Sequence, residues 1–189
     1  MFTILGVVGS PRRSGNTHVL VSRALEGAEA AGARTEKIML GEMSIRECDG
    51  CHACWRGKPC SKDDDMRGVY PKLAAADAVV FGTPVYWYGP TALMKAFIDR
   101  FVFFNCQENR PQVRGKPAAI IVPFEEADPQ AAALVVAFFE KSLAYLEMPL
   151  AARLLVPGVA RKGDVLKKEA ALREARDLGR ALAGGARAR

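Results

Sequence analysis

Short apolar runs alternate along this chain with longer stretches whose apolar positions recur at helical spacing. The first run, Thr3 to Gly9, is rich in β-branched residues and has no polar alternation, which is typical of a central parallel strand covered on both faces. Between Asn16 and Ala31 the apolar positions lie one helical turn apart, and Gly32 is suited to ending that helix. The pattern therefore predicts a strand followed by a helix.

The same two patterns repeat along the rest of the sequence. They predict strands at Arg34 to Leu40, Asp77 to Gly82, Gly115 to Pro123 and Ala151 to Pro157, and helices at Val69 to Ala75, Pro90 to Phe101, Pro129 to Leu146 and Gly163 to Ala183. Strands that alternate with helices favour an α/β fold, with a parallel sheet covered on both faces. Because crossovers are right-handed, five such strands favour a doubly wound sheet in the order 2-1-3-4-5.

No linker, internal repeat or low-complexity stretch divides the sequence, so residues 1–189 are expected to form one domain. Doubly wound sheets bind ligands beyond the carboxyl ends of their strands. The loops after strands one, three and four should therefore line one site: Ser10 to Thr17, Thr83 to Gly89 and Pro123 to Asp128. A long connection at 41–66 opens at the same edge, and connections of this length are usually functional or separately stabilised.

Charge and composition narrow the classes of partner. The net charge is +6, from 27 Lys and Arg against 21 Asp and Glu, but the basic residues are scattered apart from the C-terminal helix and a tail with Arg187 and Arg189. No recognition helix or aromatic–basic interleaving is present, so nucleic acid is not an expected partner. No apolar stretch approaches the ~20 residues that cross a bilayer, and the N-terminus lacks the features of a signal peptide. We expect no membrane association and a cytoplasmic location.

Four of the five cysteines lie in the long connection, at Cys48, Cys51, Cys54 and Cys60. In a reducing compartment, such clustering indicates metal or redox chemistry rather than structural disulfides. Thiolates select iron–sulfur clusters, zinc or copper(I), and zinc fits less well because structural zinc sites usually join two separated cysteine pairs. Unligated or reversibly oxidised thiols are a further interpretation. Cys106 is expected to be a buried or loop thiol, and His52 to face solvent.

The segment from Ser10 to Thr17 joins the first strand to the first helix, where free backbone N–H groups and the helix dipole favour an anion. Ser10, Ser14 and Thr17 add hydroxyl donors, Gly15 permits close approach of the backbone, Asn16 can donate a side-chain amide, and Arg12 or Arg13 can donate charged hydrogen bonds. The segment matches neither a Walker loop nor the dinucleotide fingerprint. The alternative is an ordinary polar turn. The position of the segment directly after the first strand disfavours that alternative.

Three consecutive aromatic residues follow the third strand, at Tyr86, Trp87 and Tyr88. They cannot all face the core from one loop, and a flat conjugated ligand explains them better. Pro84 and Gly89 would fix the path of the backbone around that ligand. The alternative is a protein–protein interface, where Tyr and Trp are also enriched.

Taken together, the segments Gly9-Ser-Pro-Arg-Arg-Ser-Gly-Asn-Thr17 and Thr83-Pro-Val-Tyr-Trp-Tyr-Gly89 resemble the flavodoxin-like superfamily, in particular its NAD(P)H-dependent FMN reductase family. The resemblance implies a flavodoxin-like fold. It also implies an FMN phosphate held by Ser10, Arg12, Ser14, Asn16 and Thr17, with close approach at Gly15, and a flavin ring lying along Pro84, Val85, Tyr86, Trp87 and Gly89. Members of this family are commonly dimers or tetramers, so a homodimer or homotetramer is expected. The loop Pro123 to Asp128 departs from the glycine-rich form common in the family.

The cysteine spacing resembles a narrower group, the iron–sulfur flavoproteins. That resemblance implies a 4Fe-4S cluster ligated by Cys48, Cys51, Cys54 and Cys60 beside the FMN, with zinc or unligated thiols as the alternatives. The function implied is an FMN-dependent NAD(P)H oxidoreductase that passes electrons to a small-molecule or protein acceptor, by way of the cluster if present. No general acid or nucleophile is implied. Two competing functions are an electron carrier without reductase turnover, and a regulatory protein on the same scaffold.

Overall fold

A computed structural model describes residues 1–185 and contains one five-stranded sheet in the order β2-β1-β3-β4-β5, with every adjacent pair parallel. The strands are β1 (Thr3–Val8), β2 (Arg34–Met39), β3 (Ala78–Gly82), β4 (Ala118–Pro123) and β5 (Leu150–Val156). The α/β class, the strand order and the flavodoxin-like arrangement are confirmed. The basic tail expected at Arg187 and Arg189 lies outside the described residues.

Five helices connect and cover these strands within residues 1–185: α1 (Asn16–Ala30), α2 (Met66–Ala75), α3 (Ala92–Asp99), α4 (Ala133–Tyr145) and α5 (Glu169–Gly184). Four of them depart from the predicted bounds by more than one residue. The helix α2 begins three residues early, at Met66, and α4 begins at Ala133, after a 3₁₀ turn over Pro129–Ala132. The helix α3 stops at Asp99 and continues as a 3₁₀ helix, Arg100–Asn105. The helix α5 begins at Glu169 rather than Gly163, because Gly163 has a φ of 85° and a 3₁₀ turn follows it. No helix among the described residues has the length and apolar character needed to span a membrane.

The sheet separates two apolar cores. Along β3 the side chains alternate between them, because successive side chains of a strand point to opposite faces. Val79 and Phe81 face the core that includes residues of α2, α3 and α4, whereas Ala78 and Val80 face the core that includes residues of α1 and α5. All five residues of β3 are buried, which accounts for its unbroken apolar run.

The helices α1 and α5 touch through their backbones. A Cβ built on Gly27 would lie 1.9 Å from the carbonyl oxygen of Arg176, and one built on Gly179 would lie 1.7 Å from that of Ala24. Only glycine is compatible with so close an approach. The helix that begins at the candidate phosphate loop is therefore fixed against the last helix of the described chain.

Candidate functional site

The loop after β1 is attached to both of its neighbours before it reaches α1. The Gly9 N–H donates to the Gly82 carbonyl at 2.7 Å, and the Thr91 hydroxyl donates to the Gly9 carbonyl at 2.5 Å. The same Thr91 hydroxyl accepts the Met94 N–H at 3.1 Å and so caps the start of α3. The Thr91 N–H donates in turn to the Thr83 hydroxyl at 3.2 Å. These buried threonines, which sequence reasoning missed, set the relative positions of the two ligand loops.

The start of α1 presents free donors. Gly15 occupies the N-cap position without a side-chain cap, and Ser14 before it has a φ of 54°. Within the described residues, no hydrogen-bond partner is found for the backbone N–H groups of Asn16, Thr17 and His18. No acidic side chain lies in the first turn. This helix terminus is therefore open to an anion, by its free N–H groups and by its dipole.

A cleft of about 90 Å³ lies beside this terminus, at the carboxyl edge of the sheet. Its lining comes from all three of the loops predicted to converge: Ser10, Arg12, Asn16 and Thr17 from the first, Pro84, Val85 and Tyr86 from the second, and Pro123, Phe124 and Glu125 from the third. A fourth loop, after β5, contributes Val159 and Ala160 and was not anticipated. Its sequence has no ligand-binding signature, so only the fold reveals it.

The side chain of Asn16 binds this fourth loop. Its amide nitrogen donates to the carbonyls of Val159 at 3.4 Å and Arg161 at 3.0 Å. Its oxygen accepts the N–H groups of Gly163 at 3.1 Å and Val165 at 3.3 Å. The side-chain amide expected to reach a phosphate is thus engaged within the protein, and only the backbone N–H of Asn16 faces outward for a ligand.

Arg12 also contacts the fourth loop, because one guanidinium nitrogen donates to the Ala160 carbonyl at 2.9 Å. The side chain is otherwise exposed, so its remaining N–H groups are free to meet an anion. Arg13 points to the other side of the loop, where it pairs with Glu42 at 3.0 Å. Of the two arginines, only Arg12 lines the cleft.

The aromatic segment forms a tight turn. Tyr86 and Gly89 exchange backbone hydrogen bonds at 2.9 and 3.0 Å, while Trp87 and Tyr88 between them have φ values of 50° and 61°. Such a turn normally carries Asn-Gly, since non-glycine residues are strained at positive φ. Trp87 is 97% exposed and Tyr88 is 58% exposed, and neither lines the cleft. Gly89 does not line it either, so only Pro84, Val85 and Tyr86 of the predicted ring-binding set do so.

The four clustered cysteines surround one small cavity of about 20 Å³, which Cys48, Cys51, Cys54 and Cys60 all line. They differ in their surroundings: Cys54 is buried, Cys51 is exposed, and the other two are intermediate. Burial raises the pKa of the Cys54 thiol. Across residues 1–185, no set of three or more His, Cys, Asp or Glu side chains is arranged to hold a metal ion. The four cysteines therefore line one cavity, but their sulfur atoms are not arranged around a common point as metal ligands would be.

The remaining thiol and the neighbouring histidine lie as expected. Cys106 is buried, and its thiol donates to the Phe103 carbonyl at 3.4 Å. His52 is exposed and its ring lies 4.8 Å from that of Trp55. Cys106 does not line the cysteine cavity, whereas His52 contributes to its wall.

Acidic side chains brace the cysteine loop. The Asp65 carboxylate accepts the Ser44 N–H at 2.6 Å, so the two ends of the loop are joined. Nearer the cysteines, Lys62 pairs with Asp49 at 2.6 Å, and this hydrogen bond lowers the pKa of Asp49 to about 2. The loop has only short 3₁₀ turns of its own, so side-chain bonds of this kind decide its path.

A buried ion pair connects this loop to the end of α3. Arg100 is 1% exposed, and its guanidinium donates to the Asp64 carboxylate at 2.6 and 3.2 Å, to the Arg46 carbonyl at 2.9 Å and to the Cys60 sulfur at 3.2 Å. Burial acts against the charge of Arg100, but the hydrogen bond with Asp64 raises its pKa. Burial likewise acts against the charge of Asp64, but the bonds from Arg100 and the Arg46 N–H lower its pKa. Both groups are charged at neutral pH.

Residues 2–151 match the family model described as NADPH-dependent FMN reductase. The chain belongs to this family. The match spans the candidate phosphate loop after β1, the cysteine loop, the aromatic turn and the first four strands.

Curated relatives include proteins with both kinds of cofactor in their names. The chain is 35% identical over 120 residues to an iron–sulfur flavoprotein of Archaeoglobus fulgidus, covering 64% of this chain and 53% of the relative. It is 37% identical over 97 residues to an iron–sulfur flavoprotein of Methanocaldococcus jannaschii, covering 51% of this chain and 50% of the relative. The chain thus spans about half the length of these curated relatives. The Bacillus subtilis protein YwqN, by name an NAD(P)H-dependent FMN-containing oxidoreductase, is 27% identical over 90% of this chain and 92% of its own.

Solved structures resemble the fold over almost its full extent. An NAD(P)H:quinone oxidoreductase from Methanothermobacter marburgensis superposes with a TM-score of 0.75, at 20% identity, over 96% of this chain and 94% of its own. An archaeal flavodoxin superposes with a TM-score of 0.60 at 15% identity, over 98% of both chains. At these identities, the likeness establishes the flavodoxin-like fold.

Proposed function

We propose that this chain is an FMN-dependent oxidoreductase that takes reducing equivalents from NAD(P)H and passes them to a small-molecule or protein acceptor. The observation that carries the proposal is the convergence of the open α1 terminus and the aromatic turn segment on one cleft. A phosphate is the anion that such a terminus favours, and a flat ring system suits the adjoining Pro84, Val85 and Tyr86. Family membership and the names of the relatives support the choice of FMN.

The residues of the cleft fit the phosphate end of FMN. Its donors suited to a phosphate are the backbone N–H groups of Asn16 and Thr17, the hydroxyls of Ser10 and Thr17, and the guanidinium of Arg12. Ser14 and Gly15 belong to the same loop but do not line the cleft, so we propose that they act at its rim, Ser14 through its hydroxyl and Gly15 by allowing close approach. A cavity of about 90 Å³ is well below the roughly 300–1,000 Å³ of sites that enclose a drug-sized ligand. We therefore assign the phosphate to the cleft and the flavin ring to the open surface along Pro84, Val85 and Tyr86.

In this mechanism the bound FMN would supply the hydride and single-electron chemistry. The protein binds and orients it, with the α1 terminus and Arg12 neutralising the phosphate. The exposed Trp87 at the turn leaves the adjoining surface open to solvent, where a nicotinamide or an acceptor can approach. No side chain is assigned a proton-transfer role.

We further propose that Cys48, Cys51, Cys54 and Cys60 hold a 4Fe-4S cluster. Their donor type fits, since cubane clusters are held by four thiolates, and all four cysteines border one cavity. A cavity of about 20 Å³ has room for little more than one water molecule, so the cysteine loop would have to open around a cluster. The names of the archaeal relatives support this choice over zinc or free thiols.

The proposal extends to the domain organisation, the location and the oligomeric state of the chain. Residues 1–189 would form a single FMN-binding domain, with the cysteine-rich loop at 41–66 as its one large insertion. A cytoplasmic location and a homodimeric or homotetrameric state remain predictions. Size-exclusion chromatography with light scattering measures the oligomeric state directly.

An anaerobic visible spectrum of freshly purified protein tests both cofactors, with flavin, iron, sulfide and zinc measured in the same sample. We expect flavin bands over a broad iron–sulfur absorption, with four irons and four sulfides per chain. Flavin without iron or zinc would reduce the proposal to a simple flavin reductase. A colourless protein that does not take up added FMN would overturn it and favour the regulatory alternative.

Turnover separates the enzyme from an electron carrier. Reduction of an artificial acceptor by NADPH and by NADH is followed with the FMN-loaded chain. Multiple turnovers with either donor support the reductase. Flavin that is reduced by dithionite and never by a nicotinamide donor would favour the carrier instead.

A further inference from the structure

Arg100 is the largest side chain that is fully buried in the described chain. The hydrogen bonds that its guanidinium donates, to Asp64, Arg46 and Cys60, all end in the cysteine loop, although Arg100 itself directly follows α3. A buried ion pair is weak evidence for stability as such, because desolvation of both charges offsets their attraction. A role in the neighbouring cysteine site would explain why the pair is present.

One polar atom of this buried guanidinium has no partner. Among the described residues, Arg100 Nε is the only buried side-chain nitrogen or oxygen without a hydrogen bond. The Asp64 carboxylate is already engaged by both terminal nitrogens of the guanidinium. Buried donors are nearly always paired in folded proteins, and an exception requires an explanation.

Arg100 lines the same cavity as the four cysteines, and its guanidinium already donates to the sulfur of Cys60. A metal cation brings no hydrogen-bond acceptor and repels a guanidinium. Cysteine thiolates and the inorganic sulfide of a cluster are both acceptors, and both carry negative charge. The cationic member of a buried Arg–Asp pair thus borders a cavity whose cysteines can carry negative charge on sulfur.

We propose that Arg100 is the positioning residue of the cysteine centre: it holds Cys60 in place before the cluster forms and stabilises negative charge on the sulfur ligands afterwards. This inference rests on the cluster assigned under the proposed function. Hydrogen bonds to sulfur and local charge tune cluster potentials, so Arg100 should raise the midpoint potential of the centre.

The position of Arg100 also links the two candidate sites. Thr91, which orders the flavin loops, caps the start of α3, and Arg100 follows its last residue. A helix of eight residues is about 12 Å long, so one rigid element separates the two anchoring residues. The cysteine centre is fixed relative to the flavin loops through this helix.

The test uses the variant Asp64→Asn/Arg100→Gln, which replaces the ion pair by two neutral amides of similar shape. The control is Lys95→Gln, which removes the exposed Lys95–Asp99 pair of α3. Wild type and variants are reconstituted anaerobically with FMN, iron and sulfide. Flavin content, release of iron to a chelator and the midpoint potential are then measured. We expect unchanged flavin content, iron release about 10- to 100-fold faster and a lower midpoint potential in the double variant alone.

The outcomes separate the two proposals. Wild type that takes up FMN but neither iron nor sulfide overturns the cluster and this inference with it. A double variant that retains both the wild-type release rate and the wild-type potential overturns the role of Arg100 and leaves the cluster standing. Should the double variant fail to bind FMN, Arg100→Lys is measured in its place. This variant retains the positive charge but lacks the planar guanidinium, whose N–H groups donate to Asp64 and Cys60 together. Faster iron release from that variant supports the proposal, and wild-type behaviour overturns it.

Discussion

The phosphate cleft and the cysteine cavity lie in the same chain but are built in different ways. The cleft is formed by strand ends and a helix terminus, so the sheet topology places both its backbone donors and the residues whose side chains line it. The cysteine cavity lies in a connection with only short 3₁₀ turns, and individual side chains decide its shape. A site placed by the order of the strands should withstand the substitution of most single side chains. A site that is held by individual side-chain contacts depends on each of them. The cysteine centre should therefore be the more fragile of the two.

The strongest test of that contrast is Arg100→Gln, which leaves the Asp64 carboxylate buried without its partner. Removing one member of a buried pair typically costs about 3–5 kcal/mol in the free energy of unfolding. Urea unfolding of the cofactor-free protein measures it. The matched Lys95→Gln, in an exposed pair four residues apart on α3, should cost no more than about 0.5 kcal/mol. Equal losses in the two variants would contradict the contrast.

Asn16→Ala tests how far the fourth loop of the cleft depends on a single side chain. It removes four hydrogen bonds and leaves the Gly163 and Val165 N–H groups unpaired. We expect a loss of about 2 kcal/mol in stability, together with FMN binding weaker by about tenfold as the fourth loop shifts. Denaturant unfolding and flavin fluorescence titration measure the two effects.

The control for Asn16→Ala is Ser22→Ala on the same helix, whose hydroxyl meets only the exposed Lys37. It should leave both stability and FMN affinity unchanged. If Asn16→Ala lowers neither the stability nor the FMN affinity, the fourth loop is held independently of Asn16. The cleft is then shaped by the strand order and its loops without this side chain.

The pH dependence of stability distinguishes the two regions further. The pKa of Asp64 is lower in the folded chain than the value of about 3.9 expected when unfolded. The contribution of Asp64 is therefore fully present above that pH and is lost as the pH falls through the lower, folded value. Asp64→Asn/Arg100→Gln should show a shallower loss of stability below about pH 4 than wild type, measured by urea unfolding across pH. Identical slopes would mean that Asp64 does not titrate with folding.

The smallest effect is expected at the aromatic turn, where substitution should stabilise. Trp87→Asn with Tyr88→Gly places the preferred residues at two positive-φ positions. Because neither side chain is buried, we expect a gain of about 1 kcal/mol in the free energy of unfolding. Thermal unfolding measures the gain, and NADPH turnover should fall if the strained aromatics serve the flavin. A stabilised variant with full turnover would show that they do not.

Periodicity predicted the strands, their order and the loops that meet at the cleft, because a parallel sheet brings successive strand ends to one edge. It missed where α3 and α5 begin or end, since Arg100 and Gly163 lie at changes of backbone geometry that apolar spacing does not reveal. Asn16 does line the cleft, but its side-chain partners lie far along the chain. Contacts that join distant segments leave no local signal.

Arg100 shows the same limitation for the cysteine site. The cysteine spacing predicted a common site, and the four residues do line one cavity. The arginine beside them directly follows α3, and no motif in the sequence marks it as part of a site. Its role depends on burial and on an unpaired Nε, neither of which can be read from residue order.

The backbone contact between α1 and α5 has a consequence for how the protein is made. A growing chain leaves the ribosome from its N-terminus, so the phosphate loop and α1 emerge first among the helices. Gly27 of α1 meets its partner only when the segment around Gly179 has been synthesised. The cleft beside α1 is therefore expected to reach its final form only after α5 has been synthesised, and FMN to be captured after that step rather than before it.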